Sequence, residues 1–393
     1  MKVIFNITAF LISSVIPFRI QGQTDSLPEE KPARFHFQGY LKDLQTASFT
    51  MDEGSLLTGN FLHNRLNFRY NFSESFSARL ELRTRLFWGE EVRWTPGFAE
   101  QVGYDGGWMD LSWIAVDEPA TVLHVIADRL SLNWQHRHWD VTLGRQRVNW
   151  GVTMVWNPND LFNAYNFFDF DYEERPGSDA LRVRYFTSGM SGFDAALSRG
   201  NNPESKIAAM LYRFNYRGYD FQVLGGAYYD DLALGTGWAG SIGDAGFKGE
   251  ATWFQPQQSF WDTTGVLSLT VSGDYSFGSG WYVGSAFLYS GAGTDDADAL
   301  NELATFQLSA KTLMPFKYSI LGQVAKQVTP LFNMNVSVIY CPVVDAFIAY
   351  PVLTYSVSDN WDINLVIQSF FAPEEGTFKN QGNALFLRLK WSF

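Results

Sequence analysis

The sequence predicts an all-β fold: a transmembrane, antiparallel, up-and-down β-barrel of about eighteen strands, with sixteen as the alternative count. Three features predict it. Apolar and polar side chains alternate with period two along most of the chain, connections alternate between short and long, and a last alternating strand ends on Phe393.

Alternation is clearest over residues 61–88. Leu66, Phe68, Tyr70 and Phe72 alternate with Arg65, Asn67, Arg69 and Asn71; after a Ser-Glu-Ser turn, Ala78, Leu80, Leu82 and Leu86 alternate with Arg79, Glu81, Arg83 and Arg85. Successive strand side chains point to opposite faces, so one face is apolar and the other charged. No amphipathic helix is at hand to cover the apolar face. Lipid is the simplest cover, and closure removes the unpaired edges that hydrocarbon forbids.

Eighteen strands are expected near 34–44, 60–72, 76–89, 121–134, 138–148, 180–187, 192–199, 206–217, 219–230, 233–242, 245–255, 264–275, 280–290, 315–326, 330–341, 345–356, 360–371 and 383–393. Links such as Ser73–Ser75 and Gly243–Asp244 are short, whereas 45–59, 90–120, 149–179, 291–314 and 372–382 are long. Short periplasmic turns and longer outer loops are the outer-membrane pattern. An even strand count then puts both termini on the periplasmic side.

Bulk composition agrees. Of 393 residues 17% are aromatic, which suits girdles at two membrane interfaces. Mean hydropathy is −0.13, too low for a bundle of helical spans. At the N-terminus, Lys2, the apolar run Val3 to Phe18 and Gly22 form a secretory signal pattern over residues 1–22, followed by a short linker over 23–33 and the barrel over 34–393. The single cysteine, Cys341, allows no intrachain disulfide and no zinc motif. The net charge of −12 disfavours a nucleic-acid partner, and loss of Lys2 and Arg19 with the signal makes the mature chain more negative.

Charge is segregated. Of 19 Arg, 17 lie between Arg34 and Arg217, and only Arg388 lies beyond. Arg on the lipid face costs ~2–4 kcal/mol at the midplane. Arg65, Arg69, Arg79, Arg83, Arg85, Arg129, Arg182 and Arg184 occupy the polar phase of their strands and are therefore expected in the lumen, as one cationic wall opposite a neutral one. A row of guanidiniums attracts anions and grips carboxylate or phosphate in a fork. An Arg–carboxylate network that merely fills the interior uses the same residues. The segment 149–179 carries Asp160, Asp169, Asp171, Glu173, Glu174 and Asp179 among many aromatics. So much apolar surface is expected to fold into the barrel mouth as a constriction loop, its carboxylates near Arg145, Arg147, Arg182 or Arg184. Carboxylates also suit calcium, but their spacing fits no EF-hand; no metal and no cofactor is expected.

LGRQRVNWG (Leu143 to Gly151), WNPNDLFN (Trp156 to Asn163) and ERPGSDALRVRY (Glu174 to Tyr185) together resemble the alginate-export type of outer-membrane porin and its relatives. The block covers about 45 residues. The resemblance implies an eighteen-strand barrel with an arginine-rich lumen passing anionic polymers or small anions, and supports Arg145, Arg147, Arg182 and Arg184 as lumen residues. It does not supply the substrate. The terminal Phe393 is similar to the signal read by the outer-membrane barrel assembly machinery.

The expected function is a porin-like, anion-preferring channel in the outer membrane, surrounded by its lipids and narrowed by 149–179. Two other readings stay open: a plugged barrel that binds surface polysaccharide, with Trp108, Trp113, Trp156 and Trp261 as candidates to stack on sugars, or an accessory subunit with protein partners in a larger complex. Catalysis is not expected. His136 and His138 lie by a short turn, and His36, His63 and His124 have no companion motif in the sequence.

Overall fold

A computed structural model describes residues 34–50, 56–164, 175–258, 260–296, 306–374 and 376–393. The expected signal and linker segments lie outside them. The described chain forms nineteen strands. These are β1 Phe35–Phe49, β2 Leu56–Asn71, β3 Phe76–Gly89, β4 Ser112–Glu118, β5 Thr121–His136, β6 Trp139–Gln146, β7 Ser178–Ser188, β8 Ser191–Arg199, β9 Lys206–Tyr216 and β10 Tyr219–Tyr228, followed by β11 Asp231–Ile242, β12 Ala245–Pro256, β13 Val266–Ser276, β14 Trp281–Ser290, β15 Tyr318–Thr329, β16 Phe332–Cys341, β17 Ala346–Ser358, β18 Trp361–Glu374 and β19 Thr377–Ser392. Two short helices, α1 Glu90–Trp94 and α2 Phe98–Gly103, precede β4.

Eighteen of the strands close a single antiparallel barrel, as the sequence predicts. β4 is not a separate stave. One edge of β5 pairs with β3 along its length, while its other edge is shared by β6 over Leu130–His136 and by β4 over Thr121–Ile126. β19 pairs with β1 to shut the ring. At that seam the Phe393 N–H donates to the Gly39 carbonyl at 2.9 Å, and the Gly39 N–H donates to the Phe393 carbonyl at 2.8 Å. A Cβ on Gly39 would lie 2.8 Å from the Phe393 ring, so this ring needs the glycine beneath it.

One end of the barrel carries short turns. Arg217 and Gly218 both have positive φ there, which forms a tight hairpin whose twist matches the strands. Aromatic residues ring this end, including Trp139 against Tyr185 and Trp361 stacked on Trp391. Leu130, Leu143, Leu197, Met210, Val223, Val324 and Leu387 stand exposed on the outer wall, as lipid-facing positions must.

Two expected loops are corrected. β1 reaches Phe49 and β2 starts at Leu56, so 45–59 is mostly strand; β18 reaches Glu374 and β19 starts at Thr377, so 372–382 is the tip of a hairpin. Both stretches are polar on both faces, Gln45 to Ser48 and Lys379 to Gln381. Past the lipid, ladder bonds continue without the alternation that marks a strand in sequence.

Candidate functional site

Strict alternation does not by itself bring the arginines inward. The β3–β5 register shifts between Glu81 and Leu82, and the extra residue leaves the consecutive Asp128 and Arg129 both buried inside. On β6, Asp140 is buried and Leu143 exposed, yet Arg145 is buried. Gly144 beside it has φ 113°, a Cβ there would lie 2.3 Å from the Leu130 carbonyl oxygen, and the 105–109 segment covers Arg145 through Asp105 and the Met109 carbonyl.

The cationic wall divides into a fixed part and an exposed part. Arg65, at 0% exposure, places Nη1 2.5 Å from Asp128 Oδ2 and Nη2 2.5 Å from Glu81 Oε2, while Arg83 reaches Asp128 Oδ1 at 2.9 Å. Arg145 bonds Asp179 at 2.8 Å, Asp105 at 2.7 Å and the Met109 carbonyl at 2.5 Å. Asp179 itself begins β7 rather than sitting in the loop. Arg85 donates to the Val102 carbonyl and to His124 Nδ1. These guanidiniums tie strands to the 98–111 segment and to one another.

The second part borders an open cavity nearer the short turns. A cavity of about 330 Å³ is lined by Arg69, Arg79, Arg129, Arg147, Arg182 and Arg184, with Asp140 as its one lining carboxylate. Arg184 reaches Asp140 at 2.6 Å, and Arg182 forks onto Asp194 at 2.9 and 2.5 Å. Arg79 is 53% exposed, 3.7 Å from Glu81. Arg69 donates to the Asn71 amide oxygen and Arg147 to that of Asn149. Arg129 donates to the carbonyls of Asp128 and Arg175.

After β6 the described residues up to 164 turn into the barrel. Trp150 and Trp156 are fully buried. The indole N–H of Trp150 donates to Asp194 at 3.0 Å, and Gln222 holds its carbonyl at 2.9 Å. Glu250 on β12, itself 0% exposed, accepts the backbone N–H groups of Val152, Thr153 and Asn159. Val155 and Trp156 then pack on Leu288, Leu321, Ile339 and Ile348 of the far wall. Of the segment's described carboxylates, Asp179 meets Arg145, one of the expected arginines, whereas Asp160 pairs with Arg175 and accepts from Trp150 and Gly151 N–H. Asp169, Asp171, Glu173 and Glu174 lie outside the described residues.

A second inward segment was not expected. Ala310, Leu313, Met314 and Phe316 are buried in the same lumen clusters. The signal was the apolar run Leu313 to Phe316, which breaks alternation without a turn. Both segments cover the neutral wall. A second cavity, about 580 Å³, lies towards the long loops between Arg83, Asp105, Asn163, Arg199, Tyr229 and Ser309.

His124 has a companion that the sequence did not show. Its Nε2 lies 2.8 Å from Ser112 Oγ. Arg85 only donates, so Nδ1 must accept and the neutral ring carries its proton on Nε2. The ring therefore donates to Ser112, whose hydroxyl donates to the Gly103 carbonyl at 2.7 Å. A base for a nucleophilic serine needs the opposite tautomer. Among the described residues no three His, Cys, Asp or Glu side chains gather as metal ligands.

No protein-family model and no curated protein matches the chain. Solved outer-membrane barrels do match its fold. Acinetobacter baumannii OccAB4 aligns at a TM-score of 0.58 and 7% identity, over 93% of this chain and 100% of that one. Acinetobacter baumannii OccAB1 aligns at 0.57 and 10%, over 91% and 96%. The outer membrane protein OpdK of Pseudomonas aeruginosa aligns at 0.57 and 10%, over 91% and 98%. At these identities the likeness shows the fold. It runs to Occ and Opd barrels and does not single out the alginate-export type.

Proposed function

We propose that this chain is a porin-type channel of the bacterial outer membrane that prefers small anionic solutes. The carrying observation is the arginine-lined cavity: six guanidiniums and one carboxylate face about 330 Å³ of space beside the short turns. Arginine presents a planar fork to carboxylate and phosphate, and cationic rings in a pore raise the local anion concentration. The Occ and Opd barrels share its architecture. Under this reading the short turns and both termini face the periplasm, residues 1–22 are the export signal, and Phe393 is read by the assembly machinery. The likeness of 143–185 to the alginate-export type supports an anionic solute without naming it.

The two inward segments favour a second reading, a barrel closed by its own loops that binds a surface polysaccharide or serves a larger complex. Single-channel recording in a planar bilayer separates the two. A stable open level whose reversal potential under a salt gradient reports anion preference supports the channel. Silence from folded, inserted barrels overturns it in favour of binding or assembly.

A further inference from the structure

The outer wall of a barrel is convex and ordinarily offers lipid no pocket. Here it does. One cross-strand row runs Ala78, Leu132, Leu143, Leu181 and Leu197 across five neighbouring strands, β3 and β5 to β8. The four leucines are exposed. Above the row the chain overhangs the wall at Trp108 and Met109, held by the Gly107–Gly200 bridge and by the Met109 N–H on Asp179 at 2.9 Å. The overhang and the row enclose a groove of about 930 Å³ with an almost wholly apolar lining. At its long-loop end stand Arg199 and Lys206, cross-strand partners at the rim. Both are exposed, and neither makes an ion pair among the described residues.

We propose that this groove holds one phosphorylated acyl lipid of the leaflet at the long-loop end. An acyl chain lies along the leucine row beneath Trp108, and the phosphate sits between Arg199 and Lys206. The inference rests on the outer-membrane reading above. Four strand spacings give the row a length of about 19 Å, which suits an extended chain and not a compact solute. A cation pair at one end of an apolar groove selects a ligand that is anionic at one end only. A neutral lipid leaves the two charges without a partner, and a free phosphate leaves the groove unfilled.

The test uses the full barrel purified in mild detergent and native mass spectrometry. The probes are a bisphosphorylated, acylated glucosamine disaccharide and its dephosphorylated form. One copy of the phosphorylated probe per barrel is expected. The double variant Arg199→Glu, Lys206→Glu should lower its occupancy at least about tenfold, since both cations that face the anionic headgroup become anions. Trp108→Ala, which removes the overhang and keeps both charges, should also weaken it. Equal retention of the two probes, or equal retention by the charge-reversed barrel, overturns the proposal. Membrane fractionation of the expressing cells separates the two failures. A barrel found in the outer membrane that retains no probe sinks the lipid site alone, whereas a chain absent from that membrane sinks the location and the site together.

Discussion

The backbone N–H of Asn159 donates to the carboxylate of Glu250 at 3.0 Å, joining the inward segment to a strand 91 residues further on. The other carboxylate oxygen takes the N–H groups of Val152 and Thr153. One buried acid therefore holds both ends of a turn in the middle of the lumen. Glu250→Ala leaves the Val152 and Asn159 N–H groups without an acceptor, while the Thr153 N–H keeps the Asn157 amide oxygen, and each bond to a charged group contributes about 1.5–3 kcal/mol. The variant should melt earlier and show larger or noisier single-channel currents. Wild-type currents together with a wild-type melting temperature would mean that the segment is held by its tryptophans alone.

Selectivity should follow exposure and not the arginine count. Arg69 and Arg79 face the cavity, while Arg83 and Arg85 are engaged by Asp128 and by His124 with the Val102 carbonyl. Replacing Arg69 and Arg79 by Ala should move the reversal potential towards zero anion preference. Replacing Arg83 and Arg85 should move it less. The reverse ranking would place the ion path against the fixed network.

Arg65 should matter for folding. It is buried between Glu81 and Asp128, and removing one partner of a buried ion pair costs about 3–5 kcal/mol. Asp128 keeps Arg83, so Arg65→Leu is expected at the lower end of that range. The readout is the temperature at which the folded, fast-migrating band is lost on a semi-native gel; an unshifted temperature contradicts the assignment.

Acid should loosen the overhang. Burial pushes the Asp105 carboxyl up, but Arg145 and the N–H groups of Leu111 and Gly107 outweigh it and hold it below the ordinary carboxylate range. A depressed folded-state value stabilises above the unfolded value, near pH 4, and that stabilisation is lost as pH falls through the folded one. The tryptophan emission assigned to Trp108, taken as wild type minus Trp108→Phe, should change below about pH 4. Asp105→Asn should flatten that profile, and a profile that keeps its midpoint in Asp105→Asn would assign the transition to another group.

The terminal residue closes the barrel as well as carrying the proposed assembly signal. Deleting Phe393 removes both bonds to Gly39 and the ring above it. The assembled fraction, measured by heat-modifiable migration, should drop, and Phe393→Tyr should restore it. Full assembly of the deletion would show that β1 and β19 close without it.

The sequence by itself determined the barrel. Lipid punishes any charge on the outer face and any unpaired backbone, so period-two alternation such as Leu66 to Phe72 against Arg65 to Asn71 has one cheap solution, and counting it gave about eighteen strands with sixteen left open until the ring was seen to close. The wealth of arginine in the first half was legible for the same reason. Its division into a fixed network and an exposed cavity was not. Arg145 is buried because the distant 105–109 segment covers it, and Asp128 and Arg129 share the lumen only because β5 bulges between them; neither device shows in a residue pattern. The lumen contents were half legible. Aromatics such as Trp150 and Trp156 pointed to an inward segment, but its docking on Glu250 and the neutral wall, and the joining of Leu313 to Phe316 to the same core, depend on pairings between residues far apart in the chain. Local alternation encodes which face meets lipid, because that choice is made one strand at a time. What fills the space inside is decided only once the ring has closed.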